Sequence, residues 1–227
     1  MNKSDFLNKI ERKIEKHHLL NHSFYKAWNA GELNKSVIQE YAAQYFKHVS
    51  AFPRYLSSIH SNCDDIKVRQ EILENLIDEE RGEENHPELW LRFAEGMGKD
   101  RDSVRKTTAI KETEELVTNF MELSKDEKYH KGFSALYCYE SMIPEIAENK
   151  IDGLKKYYGA EKGDETLKFF EVHKSADIIH RQVIKELLGE VCDSDLKKEE
   201  ALKVSANKKN QPLEQLLENP IRIAFKA

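Results

Sequence analysis

Residues 169–184 read FFEVHKSADIIHRQVI and combine helical spacing with side chains that bind metals. His173, Asp177 and His180 stand at positions i, i+4 and i+7, so on an α-helix they lie within roughly 60° of one another. Imidazole and carboxylate groups are donors that iron and manganese accept. Charged helices also produce such triples by chance, so this segment alone predicts a helix and leaves the metal open.

Apolar residues recur at helical spacing through almost the whole chain, which predicts an all-α protein. The chain has 227 residues with only 9 Gly and 5 Pro, fewer than the tight turns of an all-β protein need. We expect kinks at Pro53 and Pro144, because proline removes a helical hydrogen bond. The predicted helices cover residues 3–20, 23–29, 34–62, 65–82, 85–96, 111–124, 129–157, 164–188 and 196–217, with an irregular segment at 100–110.

No linker rich in Gly, Pro or Ser divides the sequence. We therefore expect one helical domain over residues 1–190 and a charged, helical C-terminal extension over 191–227. The net charge is -5 and no basic stripe is present, which gives nucleic-acid binding no support. The chain has neither a membrane-spanning apolar run nor an apolar N-terminal signal. Three scattered cysteines, Cys63, Cys138 and Cys192, are typical of reduced thiols, so we expect a cytoplasmic protein.

Glu79 and His86 stand seven residues apart on two apolar seams. Glu79 continues the seam of Ile72, and His86 begins the seam of Trp90. A buried carboxylate and a buried imidazole each need a partner, and either a metal ion or a salt bridge meets that need. The sequence leaves both alternatives open at this point.

Glu140 lies in the mostly apolar stretch LYCYESMIPEIAENK, residues 136–150. It is four residues before Pro144, so its carbonyl is the one that the proline leaves without a hydrogen bond. With the two preceding groups, the chain offers three carboxylates and three histidines, enough for one site with two metals. Two divalent cations would leave a net charge near +1, and such a site can stay buried where three unpaired carboxylates cannot.

The order E-x6-H, a lone Glu and H-x3-D-x2-H resembles the haem-oxygenase-like dimetal oxidases. Longer segments resemble the CADD-type para-aminobenzoate synthases, which are related in fold to TenA and PqqC. The resemblance covers about residues 5–190. It rests on HSFYKAW (22–28), AFPRYLSSIHSNCDD (51–65), NLIDEERGEENHPELW (75–90), YCYESMIPEIAENKI (137–151) and HKSADIIH (173–180).

This resemblance implies a seven-helix bundle, often a homodimer, that binds two transition-metal ions and uses dioxygen with an external reductant. Fe/Fe and Mn/Fe both stay open, because both accept His and carboxylate. It also implies an oxygenase that consumes its own side chains. Tyr25 matches the tyrosine that becomes the ring, Lys150 matches the lysine that supplies the amino group, and Tyr139 falls on an aromatic position. The implied metal ligands are Glu79, His86, Glu140, His173, Asp177 and His180.

The implied chemistry sets two structural expectations. An aromatic target should lie within a few ångström of the oxidant, because proximity and orientation supply much of the rate. A lysine amine is nucleophilic only when it is neutral, so Lys150 should be at least partly buried, with a lowered pKa.

Two alternative functions stay open beside para-aminobenzoate synthesis, one that uses the dimetal site and one that does not need it. One is a conventional dimetal oxidase that acts on an external small molecule. The other is an interaction protein that binds death-domain partners through its surface. A ferritin-like site would use the Glu-x-x-His pairs Glu83/His86 and Glu127/His130.

Metal-free relatives of the same fold give two further alternatives. A TenA-like thiamin hydrolase would use a cysteine nucleophile, for which Cys63 and Cys138 are candidates. A PqqC-like oxidase works without metal. Both leave the six-ligand set without an explanation.

Overall fold

The computed structural model of the chain describes residues 1–206, apart from the side chains of residues 175–180. Within these residues the chain forms α-helices and no β-strand, as the spacing predicts. The helices are α1 (Lys3–Lys16), α2 (Ser23–Ala30), α3 (Lys35–Asn62), α4 (Ile66–Glu80), α5 (His86–Gly96), α6 (Arg101–Lys106), α7 (Lys111–Ser124), α8 (Tyr129–Glu140), α9 (Ile143–Tyr157), α10 (Glu165–Val191) and α11 (Asp195–Ala206).

The described residues therefore form eleven helices, where the resemblance implies seven. Two of the additional helices, α2 and α6, are short. Helices α8 and α9 are the two halves of one predicted helix, and α11 lies in the predicted C-terminal extension. If α2, α6 and α11 are set aside and α8 and α9 are counted as one helix, seven helices remain. The difference therefore lies in short or divided segments.

Side-chain caps begin the helices that border the site. The side chain of Asp65 accepts hydrogen bonds from two backbone N–H groups of α4, and Asn85 accepts one from Glu88 at 3.0 Å. Asp164 accepts one from the backbone of Thr166 at 2.9 Å and begins α10. These caps satisfy N–H groups that have no partner inside a helix.

The two helical prolines behave differently from each other. Helix α3 continues through Pro53 without a break. Pro144 instead lies in the first turn of α9, where the missing N–H costs nothing, and the chain turns at Ser141 and Met142. The predicted kink in a helix over 129–157 is thus a complete break, directly after Glu140.

Two other local predictions were wrong. The first helix ends at Lys16, and a 3₁₀ turn follows at Leu19–Asn21. The segment predicted to be irregular contains α6, because the Asp100 side chain accepts a hydrogen bond from the backbone N–H of Ser103 at 2.8 Å. A capped single helical turn has too few residues to show apolar periodicity.

Helix α3 runs through the core and packs against α4, α5 and α7, while α10 packs against α5 and α9. Helix α11 packs against α1 and α8, with Ala201 fully buried. The rest of the predicted extension lies outside the described residues, and its boundary at residue 190 remains a prediction. No helix within residues 1–206 has the length and apolar character to span a membrane.

Candidate metal centre and the neighbouring lysine pocket

A short turn between α4 and α5 brings Glu79 and His86 together. Glu79 lies in the last turn of α4, and His86 is the first residue of α5. Between them Gly82 has φ = 83°, a left-handed conformation that glycine adopts without strain. The sequence therefore builds the pair locally, through a helix end, a glycine and a cap.

His173 of α10 completes a compact group with these two residues. Glu79, His86 and His173 each offer one ligand atom, and these atoms all lie within 4.8 Å of one another. These three donors are of the types that bind transition metals, and the group is compact enough to be a candidate site for one ion. The Glu79 and His86 side chains are each 9% exposed.

The contact between Glu79 and His86 is close without being a good hydrogen bond. Glu79 Oε2 lies 2.8 Å from His86 Nδ1, yet Nδ1 is a buried atom with no hydrogen bond of acceptable geometry. A buried polar atom left in this way is costly. A metal ion held by both side chains would satisfy it.

The imidazole of His173 is held in the form that binds metals. Its Nδ1 lies 2.6 Å from the backbone carbonyl oxygen of Phe169, and since a carbonyl only accepts, Nδ1 carries the proton. Burial, and next the nearby His86, lower the pKa of His173 to about 3. The neutral ring therefore keeps a lone pair on Nε2, and the carbonyl acts as the outer partner that fixes a metal-binding histidine.

Glu140 ends α8 beside this group and is 8% exposed. Burial raises the pKa of Glu140 to about 8; the hydrogen bond from Asn75 opposes this rise, and the charge of Glu79 adds to it. Asn75 Nδ2 donates to Glu140 Oε1 at 2.7 Å. A buried carboxyl group whose pKa is raised partly by a neighbouring carboxylate is one that a nearby cation would stabilise in its charged form.

These side chains line a cavity of about 370 Å³ with an exposed rim. Its lining is acidic: Asp78, Glu79, Glu84, Glu140 and Glu171 face it, against one basic residue, Lys168. The residues present therefore fit a metal centre by donor type, spacing and charge. The side chains of Asp177 and His180, the other two predicted ligands, lie outside the described residues.

Lys150 lies in a second, smaller cavity of about 30 Å³. Its side chain is 2% exposed, and burial holds its pKa well below the usual value. The Nζ atom donates a hydrogen bond to the Tyr41 hydroxyl and lies 5.4 Å from the ring centroid of Tyr25. The expectation of a buried lysine with a lowered pKa thus agrees with the structure.

Tyr25 shares this second cavity and is 3% exposed. Burial and next the nearby Tyr45 raise the pKa of Tyr25, and a hydrogen bond from Tyr41 lowers it in part. The lining described for the metal cavity includes Tyr139 and not Tyr25. Whether Tyr25 lies within a few ångström of the oxidant stays a prediction.

A shared wall separates the two cavities. Four side chains line both of them: Tyr139, Ile143, Phe169 and His173. Tyr139 also bonds to Tyr45 through their hydroxyl groups, 2.6 Å apart. The two predicted sites are thus neighbours that touch through a layer one side chain thick.

Three residues of these sites were missed in the sequence: Asn75, Tyr41 and Tyr45. Asn75 precedes Glu79 by one helical turn on the buried face of α4, a position that the spacing could have revealed. That face carries Val68 and Ile72, whereas Leu73 points outward and is 41% exposed. Tyr41 and Tyr45 carry no such signal, because buried tyrosines are common in helical cores.

Comparison with known proteins places the chain among oxidoreductases. The family described as iron-containing redox enzyme, of the haem-oxygenase type, matches residues 39–207, and the chain belongs to this family. The structure resembles a haem-oxygenase-like protein from Shewanella denitrificans, with a TM-score of 0.81 at 16% identity over 100% of this chain and 96% of that one. This resemblance confirms the predicted fold.

Sequences with higher identity to this chain carry the name of a more specific enzyme activity. The chain is 42% identical over 206 residues to the 4-aminobenzoate synthase of Nitrosomonas europaea, covering 87% of this chain and 83% of that one. It is 38% identical over 185 residues to the 4-aminobenzoate synthase of Chlamydia pneumoniae, covering 82% of each. A pyrroloquinoline-quinone synthase of Ectopseudomonas mendocina is 25% identical over 161 residues, covering 70% of this chain and 64% of that one.

Proposed function

We propose that this protein makes para-aminobenzoate from its own side chains, with dioxygen and an external reductant. Tyr25 would supply the aromatic ring and the carboxyl carbon, and Lys150 the amino group. The names of the most similar sequences support the product. The observation that carries the source of the nitrogen is the buried amine of Lys150, which lies beside the Tyr25 ring in an aromatic cavity.

The chemistry of the amine supports this assignment. No carboxylate faces Lys150 among the described residues that line its cavity, so nothing there favours the ammonium form. A neutral amine retains the lone pair that a new carbon–nitrogen bond needs. A lysine with only a structural role would more often reach a carboxylate or solvent.

The metals would bind on the other side of the shared wall. Glu79, His86, Glu140 and His173 would hold them, with Asp177 and His180 from the same face of α10 completing the set. Either an Fe/Fe or an Mn/Fe pair fits these donors. When bound, the pair would reduce dioxygen and supply the oxidant for Tyr25.

The side chains around the metal site prepare it for this role. The carbonyl of Phe169 fixes the ring of His173, and the amide of Asn75 orients Glu140. The acidic rim favours entry of cations. The shared wall separates Tyr25 and Lys150 from the open cavity, which limits the access of water to the reacting groups.

Two substitutions test this proposal. Tyr25→Phe keeps a ring and removes the phenol, and Lys150→Met fills the same space without an amine. We expect both variants to keep their metal and to make no para-aminobenzoate in air with reductant, measured by liquid chromatography. Tyr55→Phe and Lys155→Met are matched controls, a buried tyrosine and an exposed lysine outside both cavities, and should make product as the unaltered protein does.

The size of the metal cavity favours a second candidate function. A volume of about 370 Å³ lies within the range of small-molecule sites. The protein could therefore oxidise an external small molecule there, as a conventional dimetal oxidase. Product made by Tyr25→Phe at the rate of unaltered protein would favour this candidate over the self-consuming reaction.

A further inference from the structure

The aromatic cavity holds an arrangement that the proposed reaction does not yet account for. Lys150 has one hydrogen-bond partner among the described residues, the hydroxyl of Tyr41 on α3. The same nitrogen lies 3.9 Å from the centroid of the Tyr41 ring, closer than to any other ring around it. Tyr41 is 1% exposed, so the contact is shielded from water.

We propose that Tyr41 is a positioning residue, which holds the Lys150 amine beside the Tyr25 ring in the orientation that carbon–nitrogen bond formation needs. This inference rests on the proposed use of Tyr25 and Lys150. In this role Tyr41 needs its hydroxyl as well as its ring, because the hydroxyl makes the hydrogen bond with the Lys150 amine.

The direction of the hydrogen bond supports this task. The amine donates an N–H to the Tyr41 oxygen, so its lone pair is not used in the contact and stays available for a carbon atom. If the phenol instead donated to the nitrogen, the lone pair would be occupied. A lysine side chain has four rotatable carbon–carbon bonds, and one fixed contact at its end removes much of that freedom.

The other described side chains around the amine are mainly aromatic rings, and none of them makes a hydrogen bond with it. Around Nζ, α2 contributes the rings of Phe24, Tyr25 and Trp28, α5 contributes Trp90, and α10 contributes Phe170. From α3, Tyr41 and Tyr45 face the cavity. Among the described residues, the other titratable groups that line this cavity are Tyr25, Tyr41, Tyr45, Tyr139 and His173, and Tyr41 is the one that the amine contacts.

The test is Tyr41→Phe, which keeps the ring and removes the oxygen. We expect at least about a tenfold loss of para-aminobenzoate, since small misplacement of a reacting group costs on the order of a hundredfold in rate. Metal content and loss of mass from Tyr25 should persist, because neither needs the amine. Tyr55→Phe, a buried tyrosine of the same helix, is the control and should keep full product formation.

Failure of the proposed function and failure of the Tyr41 role give different results. If unaltered protein makes no product that contains its own lysine nitrogen, the proposed function fails. If unaltered protein does so and folded Tyr41→Phe makes as much, the role of Tyr41 is overturned.

A measurement on unaltered protein covers the case in which Tyr41→Phe does not fold. With ¹³C at the lysine ε-carbon, nuclear Overhauser contacts should join Lys150 to the Tyr41 ring, with the lysine in one conformer. A Lys150 signal averaged over several conformers, without these contacts, would overturn the inference.

Discussion

The two cavities differ in almost every physical property, although they share a wall. The metal cavity has a volume of about 370 Å³, an exposed rim and an acidic lining. The lysine cavity has about 30 Å³ and is lined by apolar side chains and tyrosines around one amine. The first suits cations and small molecules from solvent, and the second suits a reaction between groups already in place. The open, acidic cavity and the buried amine are thus kept apart by a layer one side chain thick.

The largest effect should come from removing a ligand in the metal cavity. His173→Ala takes away a donor and the imidazole that the Phe169 carbonyl orients. We expect metal affinity to fall by at least about a hundredfold, the upper end of what loss of an outer partner costs. Elemental analysis of loaded protein measures it, with His60→Ala as the control. Full metal content in His173→Ala would contradict the assignment of this cavity as the metal site.

A smaller loss of metal affinity is expected when Asn75, the hydrogen-bond partner of Glu140, is replaced. Asn75→Ala removes the hydrogen bond of 2.7 Å that orients this carboxylate. Metal affinity should fall by about 10–100-fold. A metal titration followed by thermal unfolding gives the value, and Asn62→Ala is the matched control. An unchanged affinity would mean that Glu140 is not a ligand.

Prediction from sequence succeeded where the determinants are local. Glu79 and His86 meet because a helix end, a glycine with positive φ and an asparagine cap lie between them, and all three are visible in the sequence. For His173, helical spacing predicted only the helix and left the metal open, and the packing of α10 against α5 brings the residue to this pair. The wall between the cavities was not foreseen, because it depends on how α8, α9 and α10 pack, which no single segment encodes.

The residues of the lysine cavity show the opposite case. Tyr25 and Lys150 came from family resemblance alone, since the spacing around them indicates only buried packing. Their juxtaposition is tertiary, joining α2 to α9. Tyr41 was missed for the same reason, although it lies on a helix whose limits were predicted within one residue.

The lysine cavity predicts a pH dependence that the metal cavity does not share. Folding lowers the pKa of Lys150. At pH values between this lowered pKa and the unfolded pKa of about 10.4, the unfolded chain binds one more proton at Lys150 than the folded chain does. Its contribution to stability therefore rises with pH, by about 1.4 kcal/mol per unit. In metal-free protein, Lys150→Met should lose this slope in urea unfolding at several pH values. An identical slope in both proteins would show that Lys150 is charged when folded.

The smallest effect is expected at the rim of the metal cavity. Lys168 pairs there with Glu84 at 2.8 Å, and its side chain is 37% exposed. Solvent screens such an exposed pair, so Lys168→Ala should change the free energy of unfolding very little. It should also leave product formation intact. A large loss of product in Lys168→Ala would mean that the rim takes part in the reaction.

Transfer of both isotopes from protein to product tests the central claim most directly. The protein is prepared with ¹³C in its tyrosines and ¹⁵N at the lysine ε-position, loaded with metal, and given unlabelled reductant in air. The account predicts para-aminobenzoate that carries both labels, and spent protein that lacks the Tyr25 side chain by peptide mass spectrometry. Unlabelled product, or labelled product with Tyr25 intact in all the protein, would contradict it.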